Sequence, residues 1–145
     1  MDDGAEVLIG AWRLERWEIV AGDGTRRHPF GAQPAGLLIY TADGCMSACI
    51  MAGDRPALSA PNPRRASAAE RAAAFDGYFS YAGRYRVSGS RVLHEIEIAL
   101  NPAMVGTPQW RDAQLAGSEL TLSASEPAAN GGERLHRLVW RRVQS

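Results

Sequence analysis

Lysine is absent from the 145 residues, so all sixteen basic side chains are arginine. Sixteen acidic residues bring the formal net charge to zero, with a sequence pI near 6.8. The chain thus lacks the basic excess with which a nucleic-acid-binding protein meets phosphates. It also lacks any apolar run close to the ~20 residues needed to span a bilayer. The start, "MDDGAEVLIG", is acidic and has no apolar core of a secretion signal. A cytoplasmic protein without a membrane partner is the expectation. Cysteine is scarce. Cys45 and Cys49 lie four apart in a run that reads as a strand, which separates them by roughly 13 Å, beyond disulfide reach. Both are expected to be reduced and buried as small hydrophobes. Two thiols with no His/Cys cluster around them make no zinc site. Gly-rich phosphate loops and nucleophile elbows are missing as well.

What remains is ordinary globular material, 46% hydrophobic and 22% charged, in a length that suits one domain over residues 1–145. The wealth of Arg, Ala and Gly fits a GC-rich bacterial genome, which is a statement about codons. Strand patterns dominate. "GAWRLERWEIV" (Gly10–Val20) alternates into a first strand. "GLLIYTADGCMSACIM" (Gly36–Met51) is a hairpin around Ala-Asp-Gly. A loop stiffened by Pro56, Pro61 and Pro63 follows. The pattern then changes: Ser67 and Glu70 have the spacing of a capping box, and the Ala-rich stretch predicts a helix from Ser67 towards Tyr81, weakened at Gly77. Strands resume at 83–87, 92–100, 109–115, 119–125 and 134–143. Eight strands in short meander steps with one short helix predict an all-β, antiparallel up-and-down barrel. Closure removes exposed edges, and eight strands leave room for one small ligand.

The segments "LIGAWRLERWEI", "HPFGAQPAGLLIYTADGCMSA", "YAGRYRV", "VLHEIEIALNPAMVGTPQWR" and "LVWRR", in that order, resemble the bacterial and fungal lipocalin-like domain family of the calycin superfamily. The resemblance covers nearly the whole chain. It implies a calycin barrel with a pocket, in which an arginine of the last strand lies across the tryptophan of the first. Here that arginine is Arg142 or Arg141, and the tryptophan is Trp12. Guanidinium over indole is worth about 0.5–2 kcal/mol, so this pair reads as a structural closure. The family's fold leaves its chemistry open, although some members sit among natural-product biosynthesis enzymes.

Polar residues on inward faces carry the functional reading. In "VLHEIEIAL", His94, Ile96, Ile98 and Leu100 share the apolar face of the alternation. In "QWRDAQL", Gln109, Arg111, Ala113 and Leu115 share a face. His94 and Arg111 therefore enter the lumen from consecutive strands. A buried charge needs a partner. Arg111 would keep the imidazole neutral, and the missing anion is either Glu18, on the face of Trp12 and Leu14, or the ligand. Tyr40, Tyr81 and Tyr85 can orient a carbonyl or phenol, with Met46, Met51 and Met104 as an adaptable lining. His136 alternates with Leu138 and Trp140, a weak hint of haem, and His28 reads as a loop residue. The candidate site is thus catalytic His94 and Arg111, with Glu18, Tyr40, Met46, Tyr81, Tyr85, Ile96 and Ile98 around the ligand. No cofactor or metal is expected. The first functional expectation is a cofactor-free isomerase, cyclase or dehydratase acting on a small, apolar, oxygenated molecule, with His94 moving a proton and Arg111 stabilising an enolate. The alternative is a binding or carrier protein for such a hydrophobic molecule, monomeric or homodimeric.

Overall fold

A computed structural model describes residues 3–144. The strands are β1 (Gly10–Ala21), β2 (Arg26–Arg27), β3 (Ala35–Tyr40), β4 (Cys45–Met51), β5 (Tyr78–Ser88), β6 (Arg91–Ala99), β7 (Pro108–Ala116), β8 (Glu119–Pro127) and β9 (Glu133–Arg142). From β3 to β9 each strand pairs antiparallel with its neighbour in sequence. β1 pairs with β3 on one side and with β9 on the other. The sheet is therefore a closed eight-stranded barrel, and the two-residue β2 is a stub alongside the far half of β1. Among the described residues two α-helices, α1 (Asp3–Glu6), which the sequence pattern did not suggest, and α2 (Ala68–Asp76), and two 3-10 turns, Pro63–Arg65 and Pro102–Met104, complete the order.

One end of the barrel is shut by the Trp12–Arg142 pair. Trp12 is fully buried, and the Arg142 guanidinium stands 4.2 Å from its ring centroid. Arg142 also donates to the carbonyls of Ile9 (2.8 Å) and Val7, while the Trp12 indole N–H donates to Leu8 O at 3.0 Å. The last turn before β1 is thereby tied to the last strand. Arg141, the alternative partner, faces outward to Glu15 and Glu119.

Two bulges decide which side chains enter the barrel. In β1 the register against β9 slips between Leu14 and Arg16. Trp12 and Leu14 point in, and past the slip Trp17 points in. Between β5 and β6 the register slips at Ala82/Gly83, where Ala82 opposes Ile98 and Gly83 opposes Ile96. Gly83 is required there: a Cβ would lie 1.9 Å from Glu95 O, closer than atoms can approach. A period-2 pattern read straight through a bulge inverts, and two sequence expectations fail for this reason. Ile98 is 70% exposed instead of lining the lumen. Glu18 leaves the face of Trp12 and Leu14 and is held outside the lumen by Arg26 (3.3 Å) and Arg137 (3.1 Å).

The helix is shorter than the Ala-rich pattern predicts. Ser67 caps it, and the capping box with Glu70 is complete in both directions. Glu70 also accepts from Ser59, and these hydrogen bonds, led by the Ser67 backbone N–H, hold its carboxyl down at about 2. The helix stops at Gly77, and Tyr78–Ala82 are already strand. The reason is pairing: Tyr78–Ala82 bond to β4, which outweighs the local helical preference of the preceding alanines. Cys45 and Cys49 lie on the outer face of β4, Cys45 exposed and Cys49 half-buried, so they are not core hydrophobes. Met51, on the same outer face, is exposed as well. Among the described residues no helix is long and apolar enough to cross a membrane.

Candidate functional site

A cavity of about 380 Å³ occupies the barrel on the side away from the Trp12–Arg142 closure. It opens at the end opposite Arg142, where β1, β4 and β8 finish and β5, β7 and β9 begin. Leu38, Ile50, Phe79, Leu122, Leu138 and Trp140 are among its apolar walls. Towards this mouth the ladder is incomplete in two places. β3 pairs with β1 only as far as Arg13, and the β7–β8 ladder stops at Asp112/Ser123. Phe30, from the loop before β3, fills the first gap by packing edge-on against Trp17 at 4.9 Å.

The deeper polar group of the cavity is built on β3, β5, β6 and β7. His94 is 1% exposed and has a tyrosine at each ring nitrogen. The Tyr40 hydroxyl is 2.7 Å from Nε2 and the Tyr81 hydroxyl 2.7 Å from Nδ1. Register brings them together: Tyr85 sits opposite His94 across β5–β6, and Tyr81 and Tyr85 are on the same inward face of β5. Arg111 lines the same cavity. It donates to Trp110 O at 3.0 Å and weakly to Gln109 Oε1 at 3.5 Å. None of the carboxylate ion pairs among the described residues includes it.

The electrostatics follow from burial. Desolvation, then the Arg111 charge, lowers the His94 pKa to about 3, so the imidazole is neutral. Desolvation raises Tyr40 well above 10, and raises Tyr81 too, with Arg111 partly offsetting the shift at Tyr81. Both phenols keep their protons. The sequence pattern anticipated a neutral His94 beside Arg111. It did not anticipate that both ring nitrogens would be occupied.

A second polar group stands at the mouth on β1, β8 and β9. The Trp17 indole donates to His136 Nδ1 at 3.2 Å, and His136 Nε2 meets Glu126 at 2.8 Å. With Nδ1 accepting, Nε2 carries the proton and donates to the carboxylate. The bond to His136 leads the causes that lower the Glu126 pKa, and Arg134 adds to it. Both nitrogens of His136 are thus engaged. Among the described residues no group of three or more His, Cys, Asp or Glu side chains is arranged to hold a metal.

His94, Arg111 and Tyr81 therefore line the cavity, and Tyr40 touches it through His94. Met46, Tyr85 and Ile96 pack in the closed core without lining it, and Tyr85 donates to Thr41 O at 2.7 Å. Met104 lines it, and His28 lies in the loop after β2. Sequence reasoning missed Trp17, which the β1 bulge concealed. It also missed Glu126, although Glu126 continues the inward alternation Leu120, Leu122, Ala124 and was legible there.

The model of a family described as a lipocalin-like domain matches residues 9–143. A 4′-hydroxy-3′-methoxypropiophenone carrier protein of Aspergillus oryzae is 35% identical over 83 residues, which span 51% of this chain and 75% of that protein.

Proposed function

The chain belongs to the lipocalin-like domain family, and from that premise we propose that it is a carrier for a small, mostly apolar molecule bearing an accepting oxygen, of the aryl-ketone kind. The observation that carries this reading is the cavity itself. Its 380 Å³ fall within the roughly 300–1,000 Å³ of small-ligand sites. Apolar walls supply the affinity. Tyr81 and the carboxylate-free cation of Arg111 supply orientation. The similarity to a protein named as carrier of a substituted propiophenone, an aromatic ketone, agrees in chemistry.

A cofactor-free isomerase, cyclase or dehydratase is the second reading, favoured by the Arg111 cation where an enolate would form. His94 suits it poorly as a base. A pKa of about 3 lies far below operating pH, whereas a good general base titrates near it.

The test is to titrate the protein with acetophenone and 4-hydroxyacetophenone while following indole fluorescence, since Trp17 and Trp140 line the cavity. Saturable one-to-one quenching, with the ligand recovered unchanged, is expected. At a ligand concentration 100 times Kd the fold should gain about 2.7 kcal/mol. Recovery of altered molecules would promote the second reading. No saturable binding of any aromatic ketone would remove the first.

A further inference from the structure

We propose that Tyr40, His94 and Tyr81 form a one-way hydrogen-bond donor chain whose last proton, on the Tyr81 hydroxyl, is presented to the cavity, so that the site selects a carbonyl or phenolate oxygen over a hydroxyl that must itself donate. This rests on the carrier reading and deepens it by naming the functional group recognised.

A neutral imidazole has one N–H and one bare nitrogen. The tyrosines at 2.7 Å from Nε2 and Nδ1 must therefore play opposite parts, one donating and one accepting. If Nε2 carried the proton, the Tyr40 oxygen would accept it and the Tyr40 O–H would need another acceptor. Tyr40 is 1% exposed, and among the described residues its hydroxyl has no second partner. The neighbouring Tyr85 hydroxyl is committed to Thr41 O. That arrangement strands a buried donor, which costs about 1–3 kcal/mol. The opposite arrangement strands nothing. Tyr40 donates to Nε2, Nδ1–H donates to the Tyr81 oxygen, and the Tyr81 O–H turns to the cavity that Tyr81 lines. Burial keeps the proton on Tyr40 and keeps His94 neutral, so the order is not scrambled by ionisation.

Arg111 adds a second donor beside the first. Side-chain acceptors beside it are few: Gln109 Oε1 already faces the Arg111 guanidinium, and the Glu126 carboxylate, its Oε1 shared by Arg134 and His136, belongs to the group at the mouth. A ligand hydroxyl can accept from Tyr81, but its own proton must then compete with Arg111 for Gln109 Oε1 or reach out to the mouth. A ketone or phenolate brings no such proton. In this scheme Tyr81 and Arg111 touch the ligand, and Tyr40 and His94 are positioning residues.

The test uses the full chain and three matched probes: acetophenone, 1-phenylethanol and ethylbenzene. Isothermal titration should show acetophenone binding about tenfold more tightly than either of the others. The ¹⁵N spectrum of His94 should report the Nδ1–H tautomer, with or without ligand. Tyr40→Phe frees the tautomer and should remove most of the ketone preference, with ethylbenzene affinity within about twofold of the parent's. An Nε2–H tautomer, or a ketone preference that survives Tyr40→Phe, overturns the donor chain while leaving the carrier reading in place. Failure of all three probes to bind overturns the carrier reading, and the tautomer still decides the chain. If Tyr40→Phe does not fold, Tyr81→Phe takes its place, and an unchanged ketone preference there overturns the proposal equally.

Discussion

His94 concentrates the physics of this protein in one side chain. Its protonation is disfavoured in the fold, with a pKa of about 3, against ~6.5 for an unperturbed histidine. Between those values the unfolded chain binds a proton that the folded chain refuses, so stability falls as pH drops below about 6.5 and keeps falling towards 3. Above 6.5 the residue contributes no pH dependence. Lowering the pH from about 6.5 to 4.5 should cost roughly 2 kcal/mol from this group alone. His94→Gln cannot titrate and should flatten that limb, as read by urea denaturation at the two pH values for variant and parent. Arg111 gives the complementary case. It lines the cavity and has no carboxylate partner among the ion pairs described, so the fold has little stake in its charge. Arg111→Leu should weaken aryl-ketone binding by about 1.5–3 kcal/mol, the scale of a charged hydrogen bond, with thermal unfolding shifted little. An unchanged Kd by titration would detach Arg111 from the ligand.

The elements differ in what they tolerate. Helix α2 buries none of its residues, so its stop at Gly77 matters to the site only because β5 begins directly after it. Strand β5 carries Phe79 and Tyr81 into the cavity and Tyr85 into the core below. Its Gly83 sits at the slip against β6, where a side chain would overlap Glu95 O. Gly83→Ala should cost 3 kcal/mol or so, at the upper end of overpacking effects. Because Tyr81 and His94 lie on either side of that slip, ketone affinity should fall with it. A variant as stable as the parent in urea would show that the two strands can part without loss. The same bulge explains why the alternation of "VLHEIEIAL" was legible for Val92, His94 and Ile96 and misleading for Ile98. Nothing in the residue types announces a slip whose cause is the neighbouring strand.

At the scale of the whole molecule, the barrel has one sealed end and one open end, and their tasks are separate. The sealed end is Trp12 under the Arg142 guanidinium, tied to the carbonyls of Val7, Leu8 and Ile9. Trp12→Ala should destabilise by about 3–5 kcal/mol, as for other buried aromatics, and calorimetric melting reads this directly. Affinity per folded molecule should change far less, because Trp12 does not line the cavity. A variant melting like the parent would mean that the first and last strands hold together without it. The open end has the two unpaired stretches of ladder, beside β1 and between β7 and β8, and the Trp17–His136–Glu126 cluster between them.

The sequence by itself determined the architecture and the closure. Alternation, turn residues and one capping box are local signals, each readable within a few positions, and eight strands in meander order close into a barrel because open edges are costly. It also determined that His94 and Arg111 face inward, since both precede any slip in their strands. Tertiary structure alone decided which tyrosines meet the imidazole. Tyr40 is 54 residues from His94 in sequence, and only the pairing of β3 through β6 around the barrel brings them together. It likewise sent Glu18 and Ile98 outward, through two bulges, because a strand's faces are fixed by the partner it pairs with as well as by its own pattern.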